Sequence, residues 1–452
     1  MNILMAAPEM EPYAWTGGLG DVIGALPGAL AAEGHKVSVI LPLYRAIERW
    51  KYDLKPYGGP RNLSIFGREE TYQLFRTVHG QAVEVYLVDQ PHYFDREGIY
   101  GYQDGDFQDN AERFIFFSRC AVELAASLRP APHVVHAHDW QAALVPVYMA
   151  NMFREVPRFR KMVSVFTIHN IGYQGLFPAW MMELTGLDGS LFNPEGLEFH
   201  DRLNLLKGGI AFSDAVTTVS ARYAEEIQSE QYGFGLEGVL HDHRGKLRGI
   251  LNGVNYEAWD PATDKLLKHN YSPGELSGKA LCKQELQKKM GLPARPRVPL
   301  FGMVTRLAEQ KGFDLLAGSA GKLMALDIQL VILGTGDERY EKLVGELCGR
   351  YPENIACRIA FDNGLSHLVQ AGSDFFLMPS RYEPCGLSQI YSLKYGTIPV
   401  VRATGGLDDT VIDVRTDPER GTGFKFDDYS PEALVNVLAD AVSFYRNAGP
   451  PW

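Results

Sequence analysis

Near its amino end the sequence reads Ile-Leu-Met-Ala (Ile3–Ala6) and then Trp-Thr-Gly-Gly-Leu-Gly-Asp (Trp15–Asp21). The first run is apolar throughout, which is typical of a strand buried on both faces of a parallel sheet. The glycines of the second run let the backbone turn tightly and approach a ligand. We expect a helix from Val22 with Asp21 as its N-cap, whose free N–H groups suit a phosphate. A plain glycine turn before a capped helix accounts for the same residues equally well.

The glycine spacing differs from the dinucleotide-binding fingerprint. After Gly18 and Gly20 the third glycine position holds Ile23, and no acidic residue ends the next predicted strand, Val37–Leu41. An acidic residue there would bind the ribose of a dinucleotide. We therefore expect no nicotinamide cofactor.

Further apolar runs recur in two sets, with helical segments between some of them, which is the rhythm of βαβ units. The predicted strands are Ile3–Ala6, Val37–Leu41, Val83–Val88, Val134–His136, Val163–Ile168 and Ala215–Val219, then Pro299–Val304, Leu330–Leu333, Ile355–Ala360, Phe375–Met378 and Ile398–Val401. A hinge is predicted near residues 245–254. The sequence thus predicts an α/β fold of two doubly wound, Rossmann-like domains, residues 1–248 and 249–452, facing each other across a deep cleft. Ligands of such sheets bind beyond the carboxyl ends of the strands.

In the first half, His136–Gln141 and Thr167–Gly175 follow predicted strands and carry imidazoles and amides. Two histidines with Asp139 suggest a metal site, but we expect His136 and His138 to point to opposite sides of their segment. We therefore favour recognition of sugar hydroxyl groups over a metal. A single histidine here could also be a structural one.

In the second half, Thr305–Gly312 follows a predicted strand and contains Arg306 and Lys311. Two cations beyond a parallel strand can hold a diphosphate without a metal. An ordinary exposed basic pair is the competing interpretation.

Another motif, Ser380–Gln389, follows the strand Phe375–Met378 and precedes a helix. Glu383 can accept hydrogen bonds from sugar hydroxyls, and the helix N–H groups can face phosphate. Cys385 could be a reactive thiol because a helix N-terminus lowers its pKa, but we favour a packing or ligand-lining role. A further glycine loop lies at Gly405–Leu407.

The net charge and the cysteine content indicate which partners the protein does not bind and in which compartment it works. The formal net charge of −11 opposes binding to nucleic acid or to an anionic membrane. The five cysteines are odd in number, and no two stand at metal-ligand spacing, so we expect a reducing cytosol. We expect Met1–Ala7 to form a buried first strand rather than a signal peptide. No apolar run reaches the ~20 residues that span a bilayer.

Taken together, the motifs resemble the bacterial glycogen synthase and plant starch synthase family, whose members have the GT-B fold. The order and spacing of the motifs are specific and extend over nearly the whole chain. The matching segments are Thr16–Asp21, Tyr100–Phe114, His136–Trp140, Thr167–Gly175, Leu251–Val254, Arg306–Gly312, Glu383–Gln389 and Thr404–Asp409.

The resemblance implies a retaining glucosyltransferase that uses ADP-glucose as donor and an α-1,4-glucan as acceptor, with no metal and no cofactor. It implies a cytoplasmic enzyme, or a stromal one if the protein is of the plant type. Arg306 and Lys311 would bind the donor phosphates, and Glu383 would hold hydroxyls of the transferred glucose. The backbone of Cys385–Leu387 would contact sugar and phosphate, and Phe361 would stack on the base.

On the acceptor side, the resemblance places His169 in the glucose pocket, with its backbone carbonyl facing the positive charge that develops at C1. Asp21 and Asp139 would lie near the acceptor, and Asn252 would reach the sugar. The residues assigned to catalysis are His169, Glu383, Asp21, Arg306 and Lys311. The residues assigned to substrate binding are Trp15, Thr16, Gly17, Gly18, Asp139, Asn170, Asn252, Phe361, Cys385, Gly386, Leu387 and Ser388.

The chain departs from the family pattern at two places. Trp15 stands where the family has a lysine that contacts the donor, and the sequence stops at Pro450–Trp452, where members continue into a further helix. These departures favour one alternative, a synthase-like glucan-binding protein with weak transferase activity. Another alternative is a GT-B enzyme that uses a small sugar as acceptor.

Overall fold

The computed structural model describes residues 1–80, 82–102 and 105–448. The chain divides into two compact units, Met1–Gly253 and Val254–Trp452. The boundary thus lies between Gly253 and Val254, whereas the sequence analysis placed it after residue 248. The segment Pro450–Trp452 lies outside the described residues.

The first unit is built on one large sheet. The strands of this unit are β1 Asn2–Ala6, β2 Lys36–Pro42, β3 Lys55–Pro56, β4 Arg61–Ile65, β5 Arg68–His79, β6 Val83–Asp89, β7 Gly101–Tyr102, β8 Gly105–Asp106, β9 Val134–His138, β10 Val163–Ile168, β11 Leu176–Pro178, β12 Glu198–Phe199, β13 Arg202–Asn204, β14 Ala215–Thr218 and β15 Leu247–Gly249. They lie in that sheet or in the smaller sheets β11-β13-β12 and β7-β8. Its α-helices are α1 Gly18–Ala32, α2 Pro91–Phe94, α3 Asn110–Ser127, α4 Asp139–Ala142, α5 Leu144–Ala150, α6 Leu205–Phe212, α7 Ala221–Glu226 and α8 Glu237–Asp242.

Within the described residues this sheet has ten strands, in the order β15-β14-β10-β9-β1-β2-β6-β5-β3, with β4 paired to β5. The strands from β15 to β6 are parallel, and β5, β3 and β4 add an antiparallel edge. Residues Leu4, Met5 and Ala6 of β1 are fully buried, as expected for a central strand covered on both faces. The strand order reverses between β1 and β9, so the loops after these strands are where ligands of such sheets bind.

The second unit has a smaller sheet. Its strands are β16 Leu300–Val304, β17 Gln329–Gly334, β18 Ile355–Ile359, β19 Phe375–Met378, β20 Ile398–Arg402 and β21 Phe424–Phe426. Its α-helices are α9 Ser277–Met290, α10 Phe313–Met324, α11 Glu338–Arg350, α12 Asn363–Gly372, α13 Ser388–Lys394, α14 Gly405–Thr410 and α15 Pro431–Ala448.

Within the described residues all six strands of this second sheet are parallel, in the order β18-β17-β16-β19-β20-β21. Phe301 and Phe375, on neighbouring strands, stack with ring centroids 4.8 Å apart in the core. The strand order reverses between β16 and β19. The loops that follow these two strands are the predicted motifs Thr305–Gly312 and Ser380–Gln389.

The predicted strands are confirmed, most of them to within one or two residues. Two predictions about side chains are wrong. The first helix begins at Gly18 with Gly17 as its N-cap, and Asp21 lies in its first turn rather than at the cap. His136 and His138 share one side of β9, because side chains two residues apart on a strand point the same way, and their ring centroids are 4.0 Å apart.

No helix of the described residues is both long enough and apolar enough to cross a membrane.

Candidate active site

In the second unit, the two loops at the reversal of strand order meet through a largely buried ion pair. Lys311 Nζ lies 2.6 Å from Glu383 Oε2, although 71 residues separate them in the sequence. The hydroxyl of Ser380 donates to the same carboxylate oxygen at 2.9 Å. The side chains of Lys311 and Glu383 are only 16% and 8% exposed, so water screens this pair less than a surface pair.

Backbone contacts hold the same two loops together. The side-chain amide of Gln310 donates to the carbonyl of Tyr382 at 3.0 Å. The backbone N–H of Arg381 donates to the carbonyl of Gln310 at 2.8 Å. The position of Glu383 relative to Lys311 is therefore set by the backbone as well as by charge.

A third loop, which contains Gly405 and Gly406, contacts the backbone of Glu383. The N–H of Gly406 donates to the carbonyl oxygen of Glu383 at 3.1 Å. Gly405 has φ +46, and a Cβ added there would lie 2.0 Å from that carbonyl oxygen. The glycine loop predicted at 405–407 thus packs against the backbone of the Glu383 loop.

We expect Gly405→Ala to destabilise the protein by about 2–4 kcal/mol, because it adds a backbone clash to the cost of a positive φ. Gly396→Ala is the matched control, since Gly396 has φ +62 and open space around its Cβ position. The control should lose only about 1–2 kcal/mol. Denaturant unfolding of both variants tests this, and equal losses would show that the contact with Glu383 is not tight.

The segment after Glu383 leads into α13. Cys385 is buried, whereas Gly386, Leu387 and Ser388 are partly exposed. The side-chain amide of Gln389 donates to the carbonyls of Cys385 at 3.0 Å and of Gly386 at 2.8 Å. The packing or ligand-lining role that the sequence favoured for Cys385 over a reactive thiol stays a prediction.

Two other predicted donor-site residues lie at the surface of this unit. Arg306 is exposed in the loop after β16. Phe361 follows β18 and is 76% exposed, which leaves its ring available for stacking. Neither position tests the role that the resemblance assigns to it.

In the first unit, buried Glu9 organises the glycine turn. Its carboxylate accepts hydrogen bonds from the backbone N–H and hydroxyl of Thr16, at 2.5 and 3.0 Å, and from the hydroxyl of Tyr100 at 2.5 Å. Burial is the largest influence on this carboxyl and raises its pKa. Neither Glu9 nor Tyr100 was assigned a role from the sequence, because 90 residues separate them.

The remaining predicted residues of this turn are open to solvent to different degrees. Thr16, Gly17 and Gly18 are exposed, and Trp15 is partly exposed. A Cβ on Gly20 would lie 2.2 Å from Cβ of Trp15, so this glycine is needed where Trp15 packs on the turn. At the other end of the unit, Asn252 is partly exposed.

Asp21 is partly buried near two other acids. Burial, followed by the negative charges of Glu11 and Glu9, raises its pKa to about 7. Between about pH 3.9, the usual pKa of an aspartate, and about pH 7, the folded protein therefore holds a proton on Asp21 that the unfolded chain has released. The stability that this proton contributes declines over this pH range and is lost as the pH rises through 7.

We expect the stability of Asp21→Asn relative to the original protein to increase by about 1 kcal/mol or more between pH 5 and pH 8, because asparagine does not ionise. Unfolding free energies of both proteins at the two pH values measure this change. Asp53→Asn is a surface control in the same unit, with a side chain that is 82% exposed. A relative stability of Asp21→Asn that is constant with pH would contradict the raised pKa.

Three histidines gather at the carboxyl ends of β9 and β10. His136 Nε2 lies 2.6 Å from the hydroxyl of Thr167, and His138 Nδ1 lies 3.0 Å from His169 Nε2. Burial lowers the pKa of His136 to about 4 and of His169 to about 3. These rings are therefore neutral at pH 7. Of the three, only His169 was assigned a role from the sequence.

Asp139 fixes the backbone of the next loop. Its Oδ1 accepts from the backbone N–H of His169 at 2.7 Å, and its carboxylate also accepts from the N–H of Asn170. Burial raises the pKa of Asp139 to about 7 against these two hydrogen bonds, which lower it. Asn170 in turn accepts from the N–H of Gly172 at 2.9 Å.

The described residues contain no group of three or more His, Cys, Asp or Glu side chains that could hold a metal ion.

Comparisons with known proteins identify the class of the fold and site. Residues 2–242 match the family model described as the starch synthase catalytic domain, and residues 284–445 match the one described as glycosyl transferases group 1. A sucrose-phosphate synthase from Thermosynechococcus elongatus, 18% identical, superposes with a TM-score of 0.59 over 99% of this chain and 92% of its own, which shows the fold alone. The two family matches, on a chain of two α/β units, identify a glycosyltransferase of the GT-B class.

Two similar proteins identify the family. A glycogen synthase from Koribacter versatilis is 47% identical over 99% of this chain and 92% of its own. The catalytic domain of starch synthase IV from Arabidopsis thaliana, in a structure with bound ADP and acarbose, is 34% identical, with a TM-score of 0.89 over 98% of this chain and 92% of that one. The chain belongs to the glycogen and starch synthase family and is a glucosyltransferase of glycogen synthesis. The alternative of a weakly active glucan-binding protein finds no support in these similarities.

Proposed function

We propose that this protein transfers glucose from ADP-glucose to the non-reducing end of an α-1,4-glucan with retention of configuration. The observation that carries the proposal is the shielded cluster of Lys311, Glu383 and Ser380 at the reversal of strand order in the second unit. The starch synthase IV that this chain resembles has ADP and acarbose bound, which supports a nucleotide-sugar donor and a glucan acceptor.

In the second unit, Arg306 and Lys311 bind the two phosphates of the donor. They neutralise charge on the ADP leaving group as the bond from glucose C1 to the phosphate oxygen breaks, and such preorganised charges lower the barrier. Glu383 accepts from hydroxyls of the transferred glucose, and the backbone of Cys385–Leu387, with Ser388, contacts sugar and phosphate. Phe361 stacks on the base.

In the first unit, Gly18 offers its backbone N–H to the phosphates. Thr16 and Gly17, whose own N–H groups bind Glu9, hold the turn that brings Gly18 to them, and Trp15 offers a flat ring where relatives have a cation. His169, Asn170 and Asn252 contact the glucose, with the carbonyl of His169 near the developing charge at C1. That charge belongs to an oxocarbenium-like transition state. Asp21 and Asp139 serve the acceptor side.

Retention follows when the acceptor hydroxyl attacks C1 on the face from which ADP leaves. The attacking oxygen forms the new bond, the C1–phosphate bond breaks, and the hydroxyl proton passes to the leaving phosphate. Cations of the chain supply the charge that a metal would otherwise supply, so we propose that no metal and no cofactor are required.

The direct test is incubation with radiolabelled ADP-glucose and glycogen in the presence of a chelator. We expect labelled polymer to form at the same rate with and without the chelator. Tight glycogen binding without incorporation would refute the proposal, and incorporation that stops with the chelator would refute metal independence. Competition between ADP-glucose and UDP-glucose in the same assay tests the choice of base.

We also propose a cytoplasmic location. Its support is the state of the cysteines: Cys120, Cys282, Cys348, Cys357 and Cys385 are all free thiols in the structure, which suits a reducing compartment.

A further inference from the structure

The imidazoles of His138 and His169 form a direct hydrogen bond between two neighbouring strand ends. His138 is the last residue of β9, and its partner in the ladder is Thr167 of β10, two residues before His169. The 3.0 Å separation joins Nδ1 of His138 to Nε2 of His169. One of these nitrogens must carry the proton of this bond and the other must accept it.

Both rings are neutral, which ties the two tautomers together. Burial lowers the pKa of His138 well below its usual value, and nearby His136 and His169 lower it further. A neutral imidazole has one N–H group only. The ring that donates in this bond therefore has a bare second nitrogen, and the ring that accepts has its proton on the second nitrogen.

The second nitrogen of His138 distinguishes the two arrangements. Nε2 of His138 is buried and has no hydrogen-bond partner among the described residues. If His169 donated, this sealed nitrogen would carry an N–H group with no acceptor. If His138 donates, it carries only a lone pair, and buried N–H groups without partners are rarer than under-used acceptors.

We propose that His138 is a positioning residue that donates from Nδ1 to Nε2 of His169 and so keeps the proton of His169 on Nδ1. No hydrogen bond occupies Nδ1 of His169 within the described residues, and 9% of this residue is exposed. The neutral ring thus presents an N–H donor rather than a lone pair. The inference rests on the proposed function in one respect, that the acceptor for this N–H is a hydroxyl oxygen of the substrate glucose.

Two consecutive residues, His138 and Asp139, then hold different parts of His169. His138 sets the proton position of its ring, while Asp139 holds its backbone N–H at 2.7 Å. The ring of His136, whose centroid is 4.0 Å from that of His138, packs beside the donor. Both imidazoles stay neutral in this arrangement, and only the nitrogen that carries each proton is fixed.

Nitrogen NMR on protein labelled with ¹⁵N in its histidine rings tests the proposal. His169→Gln identifies the signals of His169 by their loss. We expect the proton of His169 on Nδ1 in the original protein at pH 7. His138→Phe keeps a planar ring without a donor, and we expect the proton of His169 to move wholly or partly to Nε2. His138→Asn places an amide N–H near the Nδ1 position and should restore the original tautomer.

A proton on Nε2 of His169 in the original protein would overturn the proposal, even if no variant folds. An unchanged tautomer in folded His138→Phe would overturn it as well. We further expect a loss of about tenfold in kcat for His138→Phe, with a smaller loss for His138→Asn, since one hydrogen bond to the substrate is lost. A changed tautomer with unchanged kcat would remove His169 from the proposed glucose pocket while His138 still positions it.

Discussion

Replacement of Glu383 by alanine is expected to lower kcat/KM for ADP-glucose by about a thousandfold, in the range seen when a preorganised charged group is removed from an active site. Two effects combine. The glucose loses its carboxylate acceptor, and Lys311, only 16% exposed, loses its counter-charge. An unpaired ammonium in such a place costs several kcal/mol or changes its protonation state. Initial rates of label incorporation into glycogen measure the loss.

Two further variants separate charge from shape. Glu383→Gln keeps the volume and an oxygen that can accept from Ser380, but not the charge that balances Lys311, so we expect a smaller loss than for alanine. Glu309→Ala is the matched control, because Glu309 lies in the loop of Lys311 and makes an exposed ion pair with the loop of Glu383: its side chain is 66% exposed and 3.7 Å from Arg381. Exposed pairs contribute little. Normal rates in a folded Glu383→Ala variant would refute the assigned role.

The sequence was sufficient for the strands that are buried on both faces. Val163–Ile168 and Phe375–Met378 were predicted with the bounds that the structure has, because most of their residues are apolar and buried. The strand β5, Arg68–His79, was missed for the opposite reason. Its buried and exposed residues alternate through much of its length, as in an antiparallel strand with one face toward water, and a search for continuous runs passes over it.

The candidate site was predictable by residue type and by position at strand ends, but not by partner. Lys311 and Glu383 were both singled out, yet nothing in their local patterns indicates that they form an ion pair, since the contact depends on the order β16-β19 in the sheet. The same holds for Glu9 with Tyr100. The start of α1 was misjudged because glycine is unfavourable inside a helix, whereas here Gly18 and Gly20 form its first turn.

Replacement of Asp139 by alanine is expected to lower kcat/KM by about a hundredfold, the effect of a small misplacement of catalytic groups. Asp139 Oδ1 accepts from the N–H of His169 at 2.7 Å, so it holds the loop whose carbonyl and ring we assign to the glucose pocket. The residue also has φ +55. Asparagine tolerates this conformation and keeps an acceptor oxygen, so Asp139→Asn should lose no more than about tenfold.

Two effects of replacing Asp139, the relief of its positive φ and the loss of its hydrogen bond to His169, can be measured separately. Asp139→Gly relieves the positive φ but lacks the acceptor, so it should be more stable than Asp139→Ala and still lose most of the activity. Asp53→Ala is the matched control for strain, since Asp53 has φ +44 and its side chain is exposed. Kinetics at pH 8, where the Asp139 carboxyl with its pKa of about 7 is ionised, give the clearest comparison with asparagine. If Asp139→Gly kept normal kcat/KM, the hydrogen bond to His169 would have no part in catalysis, because the fold alone would then hold that loop in place.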